Sequence, residues 1–370
     1  MKKIGNSHSA SFIGAGAFSC RAILALAGSA ALAMTMHSAV RAAGLDKSDI
    51  QLVTVIQTNT NPYMLQWAAG SQAFADSVGL PLKTIVSNGD SQQQLAQIQA
   101  TIAAGKKVVL TINPINSADV PAIVKAVTRS GGFITTQWNK PEGYNPWDVS
   151  PNYVAHLTYD GYSAGKWTGK ALFTAMGGKG GIIAFKGVLD SPPSKQRYDG
   201  MNEALKDFPD VKILDTQAAG WDRQKAYDIT KTLLTKYGDQ IKGVWAASDS
   251  MTLGAYAAFQ DAGRLDDVKF SGNDNTEEAL KLIDSGPNFV DTYSSDGYYN
   301  GALGLAMAYE AATGKLDVSK LSNDQRAGNY SQFGVDKTNV KQQLKTPTAE
   351  EIMAEINKGL FARFVGPELK

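Results

Sequence analysis

From residue 50 onward, short apolar or β-branched runs alternate with longer runs in which apolar residues recur at helical spacing. That rhythm predicts strands over 52–57, 82–87, 108–112 and 133–136. It predicts helices after the first three of them, over 63–78, 91–104 and 118–130, the second introduced by Asp90 and Ser91 as caps. After a further strand over 154–158 the rhythm resumes. Strands are predicted over 182–185, 211–214, 244–247, 269–272 and 290–293, and helices over 194–206, 224–237, 251–262 and 277–283. Strands joined by crossover helices form parallel sheets, so two such series imply an α/β protein of two similar Rossmann-like lobes. The expected division is 45–159 with about 296–320 for the first lobe, and 160–295 with about 321–370 for the second. Strands crossing between them form the hinge, with a ligand cleft in between.

The stretch 139–153, rich in Pro, Asn and Gly, breaks the rhythm and reads as a loop near that cleft, with the crossing between lobes close to Asp160. Residues 1–42 stand apart. Lys2, Lys3 and Arg21 precede an apolar run from Ala22 to Met36, and small residues follow at Val40-Arg41-Ala42. This is the pattern of a cleaved secretory signal, with cleavage expected after Ala42 or Ala43. The run is shorter than the roughly 20 residues a spanning helix requires.

Loss of the signal changes the chemistry that remains. The chain's one cysteine, Cys20, lies in it, and so do two of its three histidines, leaving His156. Disulfides, thiolate nucleophiles and His-rich metal sites are thereby excluded, and no cofactor is expected. The 36 Lys and Arg against 35 Asp and Glu of the whole chain become slightly acidic once four bases and no acid are removed, so no nucleic-acid surface is indicated. The Gly-rich stretches "GGKGG" and "GYSAGKW" lack phosphate-loop spacing.

Ligands of open α/β sheets sit beyond the carboxyl ends of the strands. There the chain places Asn61 and Tyr63, Asn113, then Gln137, Trp138 and Asn139 in "ITTQWN". The second series adds Arg197, Trp221, Ser248, Asp249, Asp274 and Ser295. Amides, carboxylates, one guanidinium and two indoles recur, a set suited to a neutral, hydroxyl-rich ligand: planar groups exchange hydrogen bonds and an indole covers a C–H face. Each residue also has a structural reading. Asp249 and Asp274 precede helices and qualify as N-caps, Asn61 and Asn113 precede proline as turn formers, Trp221 suits a core, and Arg197 has Asp199 and Glu203 within helical reach. Trp138 and Trp221 are read as platforms whose loss leaves the fold intact.

At these positions the sequence resembles a known family. "QTNTNPYML", "LTINPINSADV", "ITTQWN", "LTYDGYSAGKWTGKAL", "KQRYDGMNEAL", "AAGWDRQKAYDITKTLL", "VWAASDSMTLGAYAAFQDAG" and "FSGNDNTEEAL" occur in the order found in periplasmic sugar-binding proteins of the ribose- and galactose-binding type, over roughly residues 50–315. The resemblance implies a non-catalytic receptor that captures a neutral monosaccharide or polyol by hinge closure and delivers it, as a periplasmic monomer, to the membrane permease of an ABC importer. It implies ligand contacts at Asn61, Tyr63, Asn113, Gln137, Trp138, Arg197, Trp221, Ser248, Asp249, Asp274 and Ser295. Gln137-Trp138 stands where the ribose pattern has Asp-Arg, Trp221 where it has Phe, Ser248 where it has Asn and Ser295 where it has Gln, which points away from ribose. A receptor for chemotaxis or signalling uses the same lobes. A secreted glycosidase would need two carboxylates at a set separation, with Asp249 and Asp274 as the candidates. The stretch after 320, including the helix-like "TAEEIMAEINKG", lies outside the family pattern and is expected to join the second lobe or the hinge.

Overall fold

The computed structural model describes residues 44–368; the signal sequence expected over 1–42 lies outside the described residues. In chain order the first series is β1 (Ile50–Ile56), α1 (Pro62–Ser77), β2 (Leu82–Val86), α2 (Ser91–Ala103), β3 (Lys107–Ile112), α3 (Val120–Arg129), β4 (Phe133–Gln137), the short α4 (Pro146–Val149) and β5 (Tyr153–Thr158). The second is α5 (Gly161–Ala175), β6 (Lys179–Lys186), α6 (Pro192–Leu205), β7 (Asp210–Ala218), α7 (Arg223–Tyr237), β8 (Ile241–Ala246), α8 (Asp249–Asp261), β9 (Lys269–Ser271), α9 (Glu277–Ser285) and β10 (Phe289–Ser294). A final run comprises α10 (Gly297–Ala312), α11 (Asn323–Arg326), β11 (Ala327–Tyr330), β12 (Phe333–Asp336), α12 (Ala349–Asn357) and β13 (Phe364–Pro367).

The two sheets repeat one topology. The first runs β13-β11-β5-β4-β3-β1-β2 and the second β12-β10-β9-β8-β6-β7, so each contains a parallel block in which the first strand of its series lies between the second and the third. Strand order reverses there, and connections from adjacent strands leave in opposite directions, opening a crevice. The central strands β1, β3, β4, β5, β6 and β8 are buried on both faces, which is why they read as near-continuous apolar runs.

Two helices escape the sequence pattern. α5 and α10 carry glycines where periodicity calls for apolar side chains, and both lie against another helix at backbone contact. A Cβ on Gly165 of α5 would fall 1.8 Å from the Arg197 carbonyl oxygen on α6. One on Gly301 of α10 would fall 2.0 Å from the Trp67 carbonyl oxygen on α1. Each helix also belongs to the lobe opposite the strand before it: α5 follows β5 but packs on the second sheet, and α10 follows β10 but packs on the first. These two crossings, with the link from β11 to β12, form the hinge. Asp160, at the first crossing, caps α5 by accepting from the Ser163 N–H at 2.8 Å.

The tail corrects the expected division. Residues 321–370 do not all join the second lobe: β11 and β13 extend the first sheet, and α12 packs on α1 and α10. Only β12, antiparallel to β10, joins the second sheet. The tail therefore clasps both lobes. Arg363 pairs with Asp296 and, at 3.1 Å, with Glu355 beside the hinge. The helix-like "TAEEIMAEINKG" forms α12, whereas the short strands β11, β12 and β13, whose partners are long-range, carry no local signal.

Candidate functional site

The carboxyl ends of β1, β3 and β4 lie side by side in register, with Val55 opposite Ile112 and Ile112 opposite Thr136. The loops leaving these three strands therefore meet on one wall. Asn61 caps α1, its Oδ1 accepting from the Tyr63 N–H at 3.0 Å, with Pro62 pre-set for the first turn. Gln57 Nε2 donates to Asn113 Oδ1 at 2.9 Å and to the Pro114 carbonyl at 2.8 Å. Asn139 Nδ2 donates to the same carbonyl at 2.7 Å. The Trp138 indole N–H donates to the Tyr63 hydroxyl at 3.2 Å, which also accepts from Asn300 Nδ2 at 2.9 Å. Burial pushes the Tyr63 phenol well above its ordinary range, so it stays neutral.

The facing wall is charged. Arg197, on α6, is buried; it donates to the Ala247 carbonyl at 2.6 Å, to Asp274 Oδ1 at 3.2 Å and to Ser295 Oγ at 3.1 Å. Its guanidinium stands over the Trp138 ring, 5.0 Å from the centroid, and its Nε is buried without a partner among the described residues. Asp274 is buried as well: burial pushes its carboxyl up to about 6, and Arg197 holds it from rising further. Trp221 is half-buried and lies against the backbone of Gly187, where a Cβ would come within 2.1 Å of the indole.

Between the walls is a cleft whose empty space, open solvent included, is about 380 Å³. Of the residues singled out in the sequence, Asn61, Tyr63, Asn113, Trp138, Asn139, Arg197, Trp221 and Asp274 line it. Gln137, Ser248, Asp249 and Ser295 are not among its lining residues. Ser248 caps α8, and Ser295 holds Arg197 from behind. Asp249 lies under the β9–α9 loop, accepting from the Thr276 N–H at 2.9 Å, the Thr276 hydroxyl at 3.0 Å and the Thr292 hydroxyl at 2.8 Å. Burial, with Asp274 nearby, raises its carboxyl well above the usual range. Gln137 is fully buried, and neither polar atom of its side chain has a partner among the described residues.

Two of the structural alternatives fall away. Arg197 pairs with Asp274 rather than with a neighbour on its own helix, and the cap of α9 is Thr276, not Asp274. The sequence reading missed Gln57, Met64, Ser191 and Pro193, which also line the cavity. Gln57 reads as the end of a strand and Ser191 as a loop residue, so neither stood out. Backbone strain is a signal that sequence does not carry: Trp138 (φ 63°), Trp221 (φ 67°) and Asp274 (φ 118°) all adopt positive φ. Non-glycine residues are rare there, and such strain concentrates at ligand clamps.

The lobes touch across the cleft, so this is a closed arrangement. Ser191 Oγ donates to Asn139 Oδ1 at 2.8 Å, and the Ser117 N–H donates to Asp190 Oδ2 at 3.2 Å. Among the described residues no cluster of His, Cys, Asp and Glu is arranged to hold a metal ion.

Comparison with known proteins agrees with this geometry. A family model described as a periplasmic binding protein domain matches residues 52–316. The ribose import binding protein of Salmonella typhimurium is 30% identical over 255 residues, covering 69% of this chain and 81% of that protein. The xylitol-binding protein of Mycolicibacterium smegmatis is 26% identical over 286 residues, covering 77% and 78%. Among solved structures, a twin-arginine translocation pathway signal protein from Burkholderia phytofirmans superposes with a TM-score of 0.82 at 38% identity, covering 87% of this chain and 99% of that one. Two lobes of matching topology, a cleft at their strand ends and a family match across most of the chain lead to one conclusion: this chain belongs to the periplasmic binding protein family.

Proposed function

We propose that this chain captures a neutral monosaccharide or polyol in the periplasm, by closing its two lobes over the cavity, and delivers it as a monomer to the permease of an ABC importer. The observation that carries this reading is the chemistry of the lining: uncharged hydrogen-bonding side chains and indoles, with the two charged members, Arg197 and Asp274, neutralising each other. A paired site offers no net charge to an anion or a cation, while amides, a carboxylate and an apolar ring face serve hydroxyls and C–H groups together. The relatives named for ribose and xylitol support the same class. The reading assigns no catalysis; Asp274 binds hydroxyls.

A thermal-shift screen of the mature protein against pentoses, hexoses, pentitols, inositols and the matching sugar acids tests it. A ligand that binds only the folded state at one hundred times its Kd adds about 2.7 kcal/mol of stability. A clear rise in melting temperature is expected with at least one neutral polyhydroxyl compound and with none of the acids. Stabilisation by acids alone, or hydrolysis of any glycoside offered, would overturn the reading.

A further inference from the structure

The wall formed by the first lobe has a fixed hydrogen-bonding polarity, and its origin is one backbone carbonyl. Pro114 C=O can only accept. It takes Gln57 Nε2 at 2.8 Å and Asn139 Nδ2 at 2.7 Å, so both amides are held with their nitrogens toward it. Gln57 Nε2 also meets Asn113 at 2.9 Å, and the Asn113 atom that receives an N–H must be oxygen. Asn113 is therefore turned with its NH2 away from Gln57. That NH2 has no partner among the described residues, and Asn113 lines the cavity. The other amide is spent in the same way: Asn61 Oδ1 is taken by the Tyr63 N–H, leaving its NH2 without a partner among the described residues. In the opposite direction the chain runs through Asn139 Oδ1 to the hydroxyl of Ser191 on the other lobe.

We infer that Gln57 is the positioning residue of this cleft: anchored on Pro114, it turns Asn113 so that an N–H2 group, not an oxygen, faces the ligand. The inference deepens the reading of the site as a sugar or polyol receptor and rests on it. Asn61 and Asn113 donate from the first lobe, while Asp274 accepts from the second. The group that satisfies both sides at once is a free hydroxyl, which accepts from one wall and donates to the other. An ether or a carbonyl oxygen meets only the first requirement. Specificity is thus for unmodified hydroxyls, and closure completes the chain at Ser191.

The test uses the full mature chain, with xylitol and ribose as probes, by isothermal titration. Gln57→Glu removes the N–H donor and is expected to weaken binding of whichever probe binds by tenfold or more, because Asn113 then turns its NH2 toward residue 57. Gln57→Met, similar in length and without polarity, frees Asn113 without reversing it and is expected to cost less. A purely structural role would make these losses add to that of Asn113→Ala. A positioning role predicts that Gln57→Glu adds almost nothing once Asn113→Ala is present. Unchanged affinity in Gln57→Glu, or fully additive losses, would overturn the inference.

A second measurement needs no ligand. In side-chain amide hydrogen exchange by NMR, the NH2 groups of Gln57 and Asn139 should be protected and that of Asn113 should exchange rapidly; the reverse order sinks the inference. If the wild type binds no member of the sugar and polyol panel, the receptor reading fails, and the exchange order alone decides the role of Gln57.

Discussion

The two lobes share a scaffold and differ in chemistry. Each has the same strand order, a pair of helices in backbone contact, and a buried indole tied to a threonine, Trp67 to Thr54 Oγ1 at 2.9 Å and Trp245 to Thr168 Oγ1 at 3.0 Å. Beyond the strand ends the likeness stops. The first lobe lines its wall with amides and hydroxyls, among which Asn61, Gln57 and Asn139 are oriented by backbone groups and Asn113 and Tyr63 by side chains. The second buries Arg197, Asp249, Asp274 and Asp291, with the carboxyls pushed upward by burial. At the sheet core, Thr111 and Thr135 of the first lobe hydrogen-bond one another at 3.1 Å, whereas in the second Ser271 meets Asp291 at 2.8 Å. Folding constrains the frame, so it repeats; the loops after the strands are free to diverge, so they carry recognition. One lobe sets which atoms donate, and the other supplies a charge whose proton affinity has been moved.

The indoles give the largest contrast. Trp138 is 5% exposed, donates to Tyr63, lies 5.1 Å from the Tyr159 ring and carries Arg197 on its face. Trp221 is half-buried on Gly187. The sequence reading treated them alike, as platforms removable without harm to the fold, and the packing separates them. Trp138→Ala should lower stability by about 3–5 kcal/mol, as truncation of a buried aromatic does, and abolish binding. Trp221→Ala should cost about 1 kcal/mol of stability and about tenfold in affinity. Urea melts paired with titration check both. Equal stability of the two variants would mean that Trp138 is not part of the first-lobe core.

How much was legible divides along the same line. The central parallel strands could be read because burial on both faces makes them largely apolar, and strand-end residues could be collected because ligands of such sheets sit there. α5 and α10 were hidden by glycines that packing demands, at Gly165 and Gly301. β11 and β13, four residues each, owe their existence to partners far along the chain. Within the site, Asp249 and Asp274 were indistinguishable, each an aspartate between a strand and a helix. Only burial depth and hydrogen-bond partners separate the one under the loop from the one on the wall.

That pair gives the next contrast, in affinity and pH. Asp274→Asn removes a charged acceptor and should weaken binding about ten- to a hundredfold at pH 8, equivalent to roughly 1.5–3 kcal/mol. The folded carboxyl titrates near 6, above its ordinary 3.8. The native state therefore holds its proton more tightly than the unfolded chain does, and the associated stability is fully present below about pH 4 and lost as pH rises through about 6. Wild type should show that decline in ligand-free stability relative to Asp274→Asn. Ligand affinity should move the other way, rising through the same window, because a hydroxyl donates best to the ionised form. A pH-independent difference between the two proteins would remove Asp274 from the ligand wall.

Asp249→Asn should have the smallest effect, and the reason lies in which of its partners can turn. The Thr276 N–H is an obligate donor, so the asparagine must place its Oδ1 there, and its NH2 then faces Thr292. The Thr292 hydroxyl already accepts from the Asn275 N–H at 3.1 Å and has a second lone pair, so it rotates to accept from the new NH2 as well. One hydrogen bond is exchanged for another of reversed sense, at a cost of about 1 kcal/mol of stability. Affinity should fall only a few-fold, through slight displacement of the loop that presents Asp274. Melting temperature and titration of the same sample read both quantities. An Asp249→Asn protein with wild-type melting and a hundredfold loss of affinity would put Asp249 on the ligand, and the two aspartates would again be equivalent.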